Sequence, residues 1–514
     1  MKKHNNKVDV LFVNPPSPDN LIYIRDINRH GRSSWERMIW PQTNLAILAS
    51  MVNKLGLSAD VIDCIAENIS WDEYKKILEI VQPRYCFSNL ISVTFHNDCA
   101  ALYLSKKISN SVTVGMGPHL TADPISSIKE VKGLDYIICN EAENTLFELI
   151  QNLEKSNEPN LTDLLKINGI CFIPNNVCKN ENSENPIQTE KRPFIKNLDS
   201  LPLPRHDLLP LDKYWAPILG NYTFIETSRG CPYKCIFCRQ GIMYNWKYRI
   251  RSGESLFNEV MLLNKQGIKH IMFHADTFTV NEKVVIDLCD RLIEAGTPVK
   301  WACNGHAKTL SEKPHLLKKM KEAGCWMIAI GIESGDDGVL EKAKKSTNVK
   351  MITKAVEEIA RQKIEVWGYF IIGLPGETLK TIQKTIDLSL KLPLSIAKFD
   401  IGAPYPGTEF YDYVTKNNLI RLNNETAEDY DQNASAIVSY DDLSAEQIKK
   451  YTSKATLKFF LRPKIIFYIL KKIVNFKTLF TLCLIARDRY ILHSNKNVSL
   501  KRKNVGLEQM KTNI

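Results

Sequence analysis

Apolar, strand-like runs alternate with helical stretches in two long series along this chain, and this repeated alternation restricts the fold more than any other feature. Buried parallel strands connected by helices produce such a pattern. The first series occupies residues 1–155, where we predict an α/β domain with a Rossmann-like, doubly wound sheet. Its strands are predicted at 8–13, 58–63, 85–92, 111–115 and 135–139.

The second series predicts a partial (βα)6 barrel over residues 216–415. In barrels of this type the carboxyl ends of the strands carry the chemistry. Residues 156–215 predict a linker, because residues 176–215 are rich in Asn, Pro and charged residues. Residues 416–495 predict a helical region. Residues 496–514 predict a disordered basic tail. The barrel strands are predicted at 222–228, 270–274, 298–303, 326–331, 365–372 and 396–402.

The net charge of +11 is unevenly distributed along the chain. Residues 449–514 contain 16 Lys and Arg against only Asp488 and Glu508, which leaves 52 basic and 55 acidic residues in 1–448. A near-neutral body predicts no nucleic-acid binding. Thirteen scattered cysteines and a polar N-terminus without a signal-peptide pattern predict a cytoplasmic protein.

Three cysteines, Cys231, Cys235 and Cys238, directly follow the first predicted barrel strand. A ferredoxin closes its cubane cluster with four cysteines, and a structural zinc site also takes four ligands. Three thiolates on one short loop can instead hold three irons and leave the fourth iron open. The triad therefore predicts a 4Fe–4S cluster with one open iron. The alternatives are a purely structural group of cysteines and a cluster that only carries electrons.

The spacing of the triad, with an aromatic residue before the last cysteine, resembles the signature of radical S-adenosylmethionine (radical SAM) enzymes. The resemblance extends over residues 220–410. It implies that the open iron binds S-adenosylmethionine, and that an electron from flavodoxin or ferredoxin leads to a deoxyadenosyl radical that attacks an unactivated carbon. It also implies contacts to S-adenosylmethionine from Phe237, Asp276, Asn304, Glu333, Ser334 and Gly373.

Some of these residues have structural alternatives. Core packing is the alternative for Phe237, and capping of the turn that follows is the alternative for Asp276. Cys303 and His306, on the third barrel strand, are as consistent with a structural role as with a functional one.

Residues 112–124 and 135–145 resemble the cobalamin-binding domain that precedes many radical SAM cores. Open α/β sheets bind ligands beyond the carboxyl ends of their strands. Residues 140–143 depart from the usual Gly-Glu-Gly-Glu, and the Asp-x-His-x-x-Gly element is absent from the sequence, so the lower face of cobalt is expected to be open or water-bound. A scaffold domain that has lost cobalamin is the alternative. The expected cobalamin contacts are Asn14, Asp63, Ser92, Thr94, Gly115, Gly117, His119, Thr121 and Glu141, with His119 not a cobalt ligand.

Residues 462–473 predict a basic amphipathic helix with one apolar stripe. Such a helix either packs its stripe on the barrel or lies on an anionic membrane. The two alternatives remain open at this point, and peripheral membrane contact would suit a lipid-like substrate.

Together the resemblances predict an enzyme that transfers methyl from methylcobalamin to an unactivated carbon of a small-molecule or lipid-like substrate. One alternative is an oxidative, ring-forming or lipid-modifying enzyme similar to the anaerobic magnesium-protoporphyrin ester cyclase. Another is a radical SAM enzyme without cobalamin. No individual catalytic residue is predicted.

Overall fold

Two sheets with helices packed against them account for most of the described residues. The computed structural model describes residues 4–26, 31–156, 159–178, 181–217, 219–296, 298–421, 427–433, 436–473, 476–494 and 498–511. Both sheets consist mainly of parallel strands, as the alternation of strands and helices predicts. The predicted α/β class is confirmed.

The strands of the first sheet are Val10–Asn14 (β1), Ala59–Asp63 (β2), Tyr85–Asn89 (β3), Val112–Met116 (β4), Tyr136–Ile138 (β5), Ile170–Phe172 (β6) and Ile187–Gln188 (β7). Their order in the sheet is β2-β1-β3-β4-β5-β6-β7. The first five strands pair in parallel, and β6 and β7 pair antiparallel. Because helices cover both faces, β1 and β3 are buried throughout and do not alternate with polar residues.

Strands β6 and β7 correct the prediction of a linker at residues 156–215. Their few residues are surrounded by Asn, Pro and charged residues, which hid the strand signal. They extend the first sheet at its edge, so this sheet ends later in the chain than predicted.

Helices 43–53 and 142–155 pack on one face of the first sheet, and helices 71–81 and 95–109 on the other. The helix at 71–81 begins with a capping box, in which Ser70 Oγ accepts from the Glu73 N–H at 3.3 Å. The helices of this domain are Thr43–Asn53, Trp71–Val81, Phe95–Ser109, Pro118–Ala122, Pro124–Glu130, Ala142–Lys155, Leu161–Leu164 and Pro174–Val177.

The barrel strands are Thr223–Glu226 (β8), His270–His274 (β9), Lys300–Gly305 (β10), Cys325–Glu333 (β11), Glu365–Ile372 (β12) and Ile396–Ile401 (β13). They lie in sequence order and all pair in parallel, which confirms the six predicted strands. The sheet order begins with β8 and ends with β13, so the barrel is partial.

Helices cover the outer face of the barrel sheet and enclose the largest hydrophobic core. Side-chain caps such as Asn281 and Asn348 start two of them. The helices of the barrel region are Gln240–Tyr244, Gly253–Lys265, Glu282–Glu294, Ala307–Glu312, His315–Glu322, Asp337–Lys342, Val349–Arg361, Leu379–Lys391 and Glu409–Lys416.

Short strand pairs and 3-10 turns lie outside the two main sheets. Three antiparallel pairs of two-residue strands join Tyr23–Ile24 with Arg32–Ser33, Trp215–Ala216 with Gly220–Asn221, and Ser228–Arg229 with Arg249–Ile250. The 3-10 turns are Ser92–Thr94, Leu198–Ser200, His206–Leu208, Phe278–Val280 and Ala427–Tyr430.

The C-terminal region contains helices Ala445–Phe460, Pro463–Lys472, Phe476–Ser494 and Val498–Lys511. The last helix corrects the prediction of a disordered tail at 496–514. Gly506 lies so close to helix 95–109 that an added Cβ would be 2.5 Å from the Asn97 nitrogen. The buried Arg502 pairs with Asp431 at 2.9 Å and Asp19 at 3.4 Å, so part of the basic charge is neutralised inside the fold. None of the described helices is long and apolar enough to cross a bilayer.

Candidate functional site

The three predicted ligand cysteines lie on one loop, residues 230–239, between β8 and helix 240–244 (the cysteine loop). Gly230 has a φ of +76°, and a Cβ there would be 2.1 Å from the Lys247 carbonyl oxygen, so the loop requires glycine at its start. Within the loop, the Cys238 N–H donates to the Cys235 carbonyl at 3.1 Å.

The thiols of this loop fit a cubane cluster. All thirteen cysteines are free, and burial raises the pKa of Cys231 to about 12 and also raises that of Cys235 and Cys238. Cysteines lose their protons when they bind metal. Each thiolate of a cubane binds its own iron, so the sulfur atoms need not converge on one point. No three His, Cys, Asp or Glu side chains among the described residues converge as ligands of a single ion.

Lys345 brings positive charge to the cysteine loop. Its Nζ lies 2.7 Å from Glu333 Oε1; Glu333 is buried and Lys345 is largely buried. Burial opposes its charge, but the charges of Glu333 and Cys235 raise the pKa of Lys345. Lys345 in turn opposes the rise in the pKa of Cys235, which favours a bound thiolate.

Asp276 and Asn304 lie near the ends of β9 and β10. Gln240 Nε2 donates to Asp276 Oδ1 at 2.7 Å, and after burial the Asp276 charge contributes to the raised pKa of Cys238. The turn 278–280 has Thr277 at its N-cap position, without a side-chain hydrogen bond. Asn304 Nδ2 donates to the Ala275 carbonyl at 3.1 Å and so ties the two strand ends together.

Glu333 ends β11 in a strained conformation. Its φ is +63°, and the strand pairing shifts register between Gly331 and Glu333. A bulge with a non-glycine residue at positive φ stores strain, and such residues cluster at functional sites. The bulge directs the Glu333 carboxylate toward Lys345 and the cysteine loop.

The remaining three predicted contacts differ in their placement. Phe237 is half-buried and packs on Val339 and Leu374, and it also lines the cavity described below. The Ser334 hydroxyl lies 3.2 Å from that of Thr385 and fixes a helix. Gly373 has a φ of +102°, and its carbonyl accepts from the Tyr440 hydroxyl at 2.9 Å. The contacts of Ser334 and Gly373 are thus those of residues that support the backbone.

A cavity of about 460 Å³ occupies the interior of the barrel. Along β12 the side chains alternate, so Trp367, Tyr369 and Ile371 face the cavity while their neighbours are buried against helices. The first domain closes part of it with Trp35 and Trp40. The predicted residues Phe237, Asn304 and Glu333 lie on its wall.

Charged side chains in this cavity are paired. Asp26 Oδ2 lies 3.0 Å from His274 Nε2, and Lys398 Nζ lies 2.6 Å from Asp400 Oδ1. Arg32 forms an ion pair with Glu36. None of these charged residues is among the predicted contacts. The sequence signals for the cavity are the closely spaced aromatic residues at 35 and 40 and the alternation along β12.

At the carboxyl edge of the first sheet, the predicted residues bond mainly to one another. Asn14 Nδ2 donates to Asp63 Oδ1 at 2.6 Å, and the Tyr214 hydroxyl donates to Asp63 Oδ2 at 3.0 Å. Burial raises the pKa of Asp63 to about 6. The Thr94 hydroxyl donates to Asp98 at 2.8 Å.

Ser92 and His119 face the cysteine loop. Ser92 Oγ lies 3.0 Å from His119 Nδ1, and Arg239 Nη2 donates to Ser92 Oγ at 3.1 Å. Arg239 directly follows Cys238, so the loop touches the first sheet at this point. Burial lowers the pKa of His119 to about 3, which keeps its imidazole neutral.

Two glycines permit tight packing at the same edge. Gly117 has a φ of +120°, and an added Cβ would be 2.3 Å from Asn89 Oδ1. A Cβ at Gly115 would be 2.8 Å from Leu120 Cδ1. Thr121 Oγ1 accepts from the Asn140 N–H at 3.0 Å.

Glu141 is placed differently from the other predicted cobalamin contacts. Its carboxylate accepts from Arg249 Nη1 at 2.8 Å and from Arg229 Nη1 at 3.0 Å, and Arg229 also pairs with Glu143. Asn140 Nδ2 donates to the carbonyls of helix 240–244. The segment that departs from Gly-Glu-Gly-Glu therefore clamps the first domain to the base of the cysteine loop.

Arg239 is a buried cation at the junction of the two domains. It is 1% exposed and stacks over the Tyr405 ring at 4.3 Å. Its Nε and Nη1 make no hydrogen bond to any described residue, and burial lowers the pKa of the guanidinium to about 10. A buried cation without a carboxylate fits an anionic group of a cofactor at this junction.

Comparison with known proteins agrees with this geometry. Residues 225–389 match the family model described as the radical SAM superfamily. An uncharacterised methyltransferase of Pyrococcus horikoshii is 33% identical over 428 residues, which cover 83% of this chain and 89% of that protein. The chain belongs to the radical SAM superfamily. The predicted membership is confirmed, and this radical SAM protein is an enzyme whose chemistry depends on a 4Fe–4S cluster and S-adenosylmethionine.

Two further similarities extend beyond the radical SAM core. An anaerobic magnesium-protoporphyrin IX monomethyl ester cyclase of Cereibacter sphaeroides is 25% identical over 382 residues, or 72% of this chain and 60% of that protein. The structure of OxsB, a cobalamin-dependent S-adenosylmethionine radical enzyme, aligns with a TM-score of 0.68 at 17% identity and covers 99% of this chain and 79% of that chain. The latter establishes a shared fold over both domains.

Proposed function

We propose that this protein is a cobalamin-dependent radical SAM methyltransferase that acts on an unactivated carbon. The observation that carries the proposal is the position of the cysteine loop between two edges. Through Arg239 it contacts Ser92 of the first sheet, and through Phe237 it borders the barrel cavity. A cofactor at each edge would thus lie against the same loop.

In this proposal Cys231, Cys235 and Cys238 hold the cluster, and Asp276 and Glu333 hold S-adenosylmethionine. Their carboxylates suit an ammonium or hydroxyl group, and Asn304 lies on the same cavity wall. When bound, these groups supply a carbon radical, and methylcobalamin supplies the methyl group.

The first-sheet edge is the proposed cobalamin site. Gly117 allows backbone to approach a flat macrocycle, and Ser92 and His119 supply polar contacts. Because Nδ1 of the neutral His119 is near Ser92, its other ring nitrogen remains for a contact outside this pair. Glu141 acts here as a clamp between domains and not as a cobalamin contact.

The barrel cavity is the proposed substrate site. Trp35, Trp40 and Trp367 give it an apolar wall that excludes water, and the paired charges fix the polar end of a substrate. A small molecule with an extended apolar body, or a lipid-like molecule, fits this lining. The external one-electron donor would be of the flavodoxin or ferredoxin type.

The product pattern tests the proposal. The full chain, reconstituted anaerobically with iron, sulfide and cobalamin, is incubated with methyl-labelled S-adenosylmethionine, a reductant and candidate substrates. Methylation yields S-adenosylhomocysteine together with deoxyadenosine and a labelled product, all absent with Cys235→Ala. The cyclase relative makes ring formation the second candidate, and its result is deoxyadenosine with an unlabelled product. That result would overturn methyl transfer.

A further inference from the structure

Exposed apolar side chains are concentrated in one part of the C-terminal region. Of the 15 large hydrophobic residues that are exposed in the described part of the chain, eight lie between residues 457 and 480. Scattered exposed apolar residues need no explanation, but a contiguous group marks a contact surface. The group consists of Leu457, Leu461, Ile466, Phe467, Leu470, Phe476, Leu479 and Phe480.

The same region carries only positive charge. Residues 447–487 contain ten Lys and Arg and no Asp or Glu. Two lysines, Lys464 and Lys471, are exposed beside the apolar group, and Lys471 Nζ lies 4.3 Å from the Phe467 ring centroid. An apolar face with cations and without acids matches an anionic lipid surface.

The inner sides of the two helices are already occupied. Ile465 is 1% exposed in the barrel core, and Ile469 packs against that core. Ile469 and Leu482 also line the barrel cavity. The predicted apolar stripe thus divides, because Ile466 and Leu470 face outward while Ile465 and Ile469 pack on the barrel. Packing on the barrel therefore does not account for the outer residues.

We propose that the outer faces of helices Pro463–Lys472 and Phe476–Ser494 dock this protein on an anionic lipid bilayer. The helices lie in the interface, since none of the described helices is long and apolar enough to cross a membrane. Ile469 and Leu482 of these helices line the barrel cavity on their inner side, so the helices would lie between the bilayer and the cavity. If the proposed methyltransferase function is correct, this arrangement gives the cavity access to apolar substrates dissolved in the membrane.

Vesicle flotation of the full chain tests the docking surface. Vesicles of phosphatidylcholine alone are compared with vesicles that also contain phosphatidylglycerol, at low and high salt. We expect flotation with the anionic vesicles, weaker flotation at high salt because ions screen the lysines, and little flotation with phosphatidylcholine alone. The assay needs no catalysis, so its failure is separate from a failure of the proposed reaction. Absence of flotation with anionic vesicles would overturn the proposal.

Matched variants locate the surface. Phe467→Glu combined with Phe480→Glu should abolish flotation, whereas Ile80→Glu combined with Leu165→Glu, which changes two exposed residues of the first domain, should leave it unchanged. Changing Lys464 and Lys471 to Gln should weaken partition roughly 30-fold. Equal flotation of the Phe467/Phe480 variant and its control would place the contact elsewhere.

A protein partner or a second copy of the chain is the competing occupant. Sedimentation at increasing concentration without lipid would reveal self-association through the same face. If the Phe467/Phe480 variant abolishes such association while the wild type does not bind vesicles, the surface is an interface between copies. Unchanged thermal unfolding midpoints would confirm that these exposed substitutions preserve the fold.

Discussion

The carboxyl edges of the two sheets use polar residues in opposite ways. At the barrel edge, Asn304 and Glu333 line an open cavity, and Glu333 is held there by a strained bulge. At the first-sheet edge, Asn14, Asp63 and Thr94 are buried and bond to neighbouring side chains. The barrel edge therefore presents polar groups to a cavity, whereas much of the first edge uses them to hold its own loops.

Because of this difference, a polar residue at the carboxyl end of a strand does not by itself indicate a ligand contact. The general rule places ligands beyond the carboxyl ends of parallel strands. The rule applies equally to Asp63 and Asp276, but Asp63 bonds to Tyr214 of the interdomain segment while Asp276 lies beside the cysteine loop. Position in the fold selects candidate residues, and their hydrogen-bond partners decide among them.

The largest expected effect is at the cysteine loop. Cys235→Ala should abolish the broad visible absorbance of the reconstituted cluster and all cleavage of S-adenosylmethionine, because two thiolates cannot replace three. The exposed Cys483→Ala is the matched control and should retain both. Iron analysis and product chromatography measure the outcome. A Cys235→Ala protein that keeps its iron content and cleavage activity would refute the ligand assignment.

Breaking a buried ion pair should lower the free energy of unfolding by different amounts at the two edges. Arg25→Met leaves Asp98 uncompensated in a pair that is fully buried, with Nη2 and Oδ1 2.8 Å apart, and should lower the free energy of unfolding by about 3–5 kcal/mol. Lys345→Met leaves Glu333, which borders the cavity, so water can partly replace the cation and a smaller loss of about 2 kcal/mol is expected.

The same two variants should also differ in their affinity for S-adenosylmethionine. Only Lys345→Met is expected to weaken binding of S-adenosylmethionine, measured by calorimetry on the reconstituted protein, since it changes the charge beside Cys235 and Glu333. Denaturant unfolding measures the stability of each. Equal losses of stability, or weakened binding in both variants, would remove the distinction between the edges.

The fold was largely predictable because its signals are local. Strands such as β12 are predictable from their runs of β-branched and aromatic residues. Each βα unit also repeats the order of strand followed by helix. The exceptions have tertiary causes. Strands β6 and β7 are two or three residues long, and helix 498–511 is stabilised by Arg502 and its distant partners Asp19 and Asp431. No local pattern contains those partners.

The site was predictable where a motif fixes the chemistry and less so elsewhere. The cysteine spacing identifies the loop, and the order of strands places Asn304 and Glu333 on the cavity wall, where their contact with S-adenosylmethionine stays a prediction. Arg239 carries no such signal. It differs from a surface arginine only because it is buried and its Nε and Nη1 bond to no described carboxylate. Glu141 occupies a position of the Gly-Glu-Gly-Glu element, yet its bonds to Arg229 and Arg249 depend on how the two domains meet.

The first domain should also respond to alkaline pH. His96 is buried between Glu130 and Glu428, and although burial opposes it, their hydrogen bonds raise the pKa of His96 from 6.5 to about 9. A raised pKa gives stability that is fully present below pH 6.5 and is lost as pH rises through about 9. The loss attributable to this group is roughly 3 kcal/mol.

His96→Gln should reduce this dependence when unfolding is measured between pH 6 and 10, and the contribution of His4, whose pKa is also raised to about 9, should remain. The control is His315→Gln in the barrel, which removes an exposed pair with Glu282 and should change little. If both variants show the same slope as the wild type, His96 is not the group that couples the first domain to pH.

The smallest expected effect concerns why Gly117 is a glycine. Gly117→Ala forces a side chain into positive φ and against Asn89 and Leu90, and should cost about 2 kcal/mol of stability. Gly56→Ala has a positive φ of +78° with no neighbour within 4 Å, so the difference between the variants reports the steric conflict together with the extra backbone strain at Gly117, whose φ of +120° and ψ of 175° suit only glycine. If Gly117→Ala is no less stable than Gly56→Ala but binds cobalamin more weakly, the glycine serves the cofactor. If stability falls and cobalamin affinity does not, it serves the packing of the first sheet, and the contrast between the two edges becomes sharper.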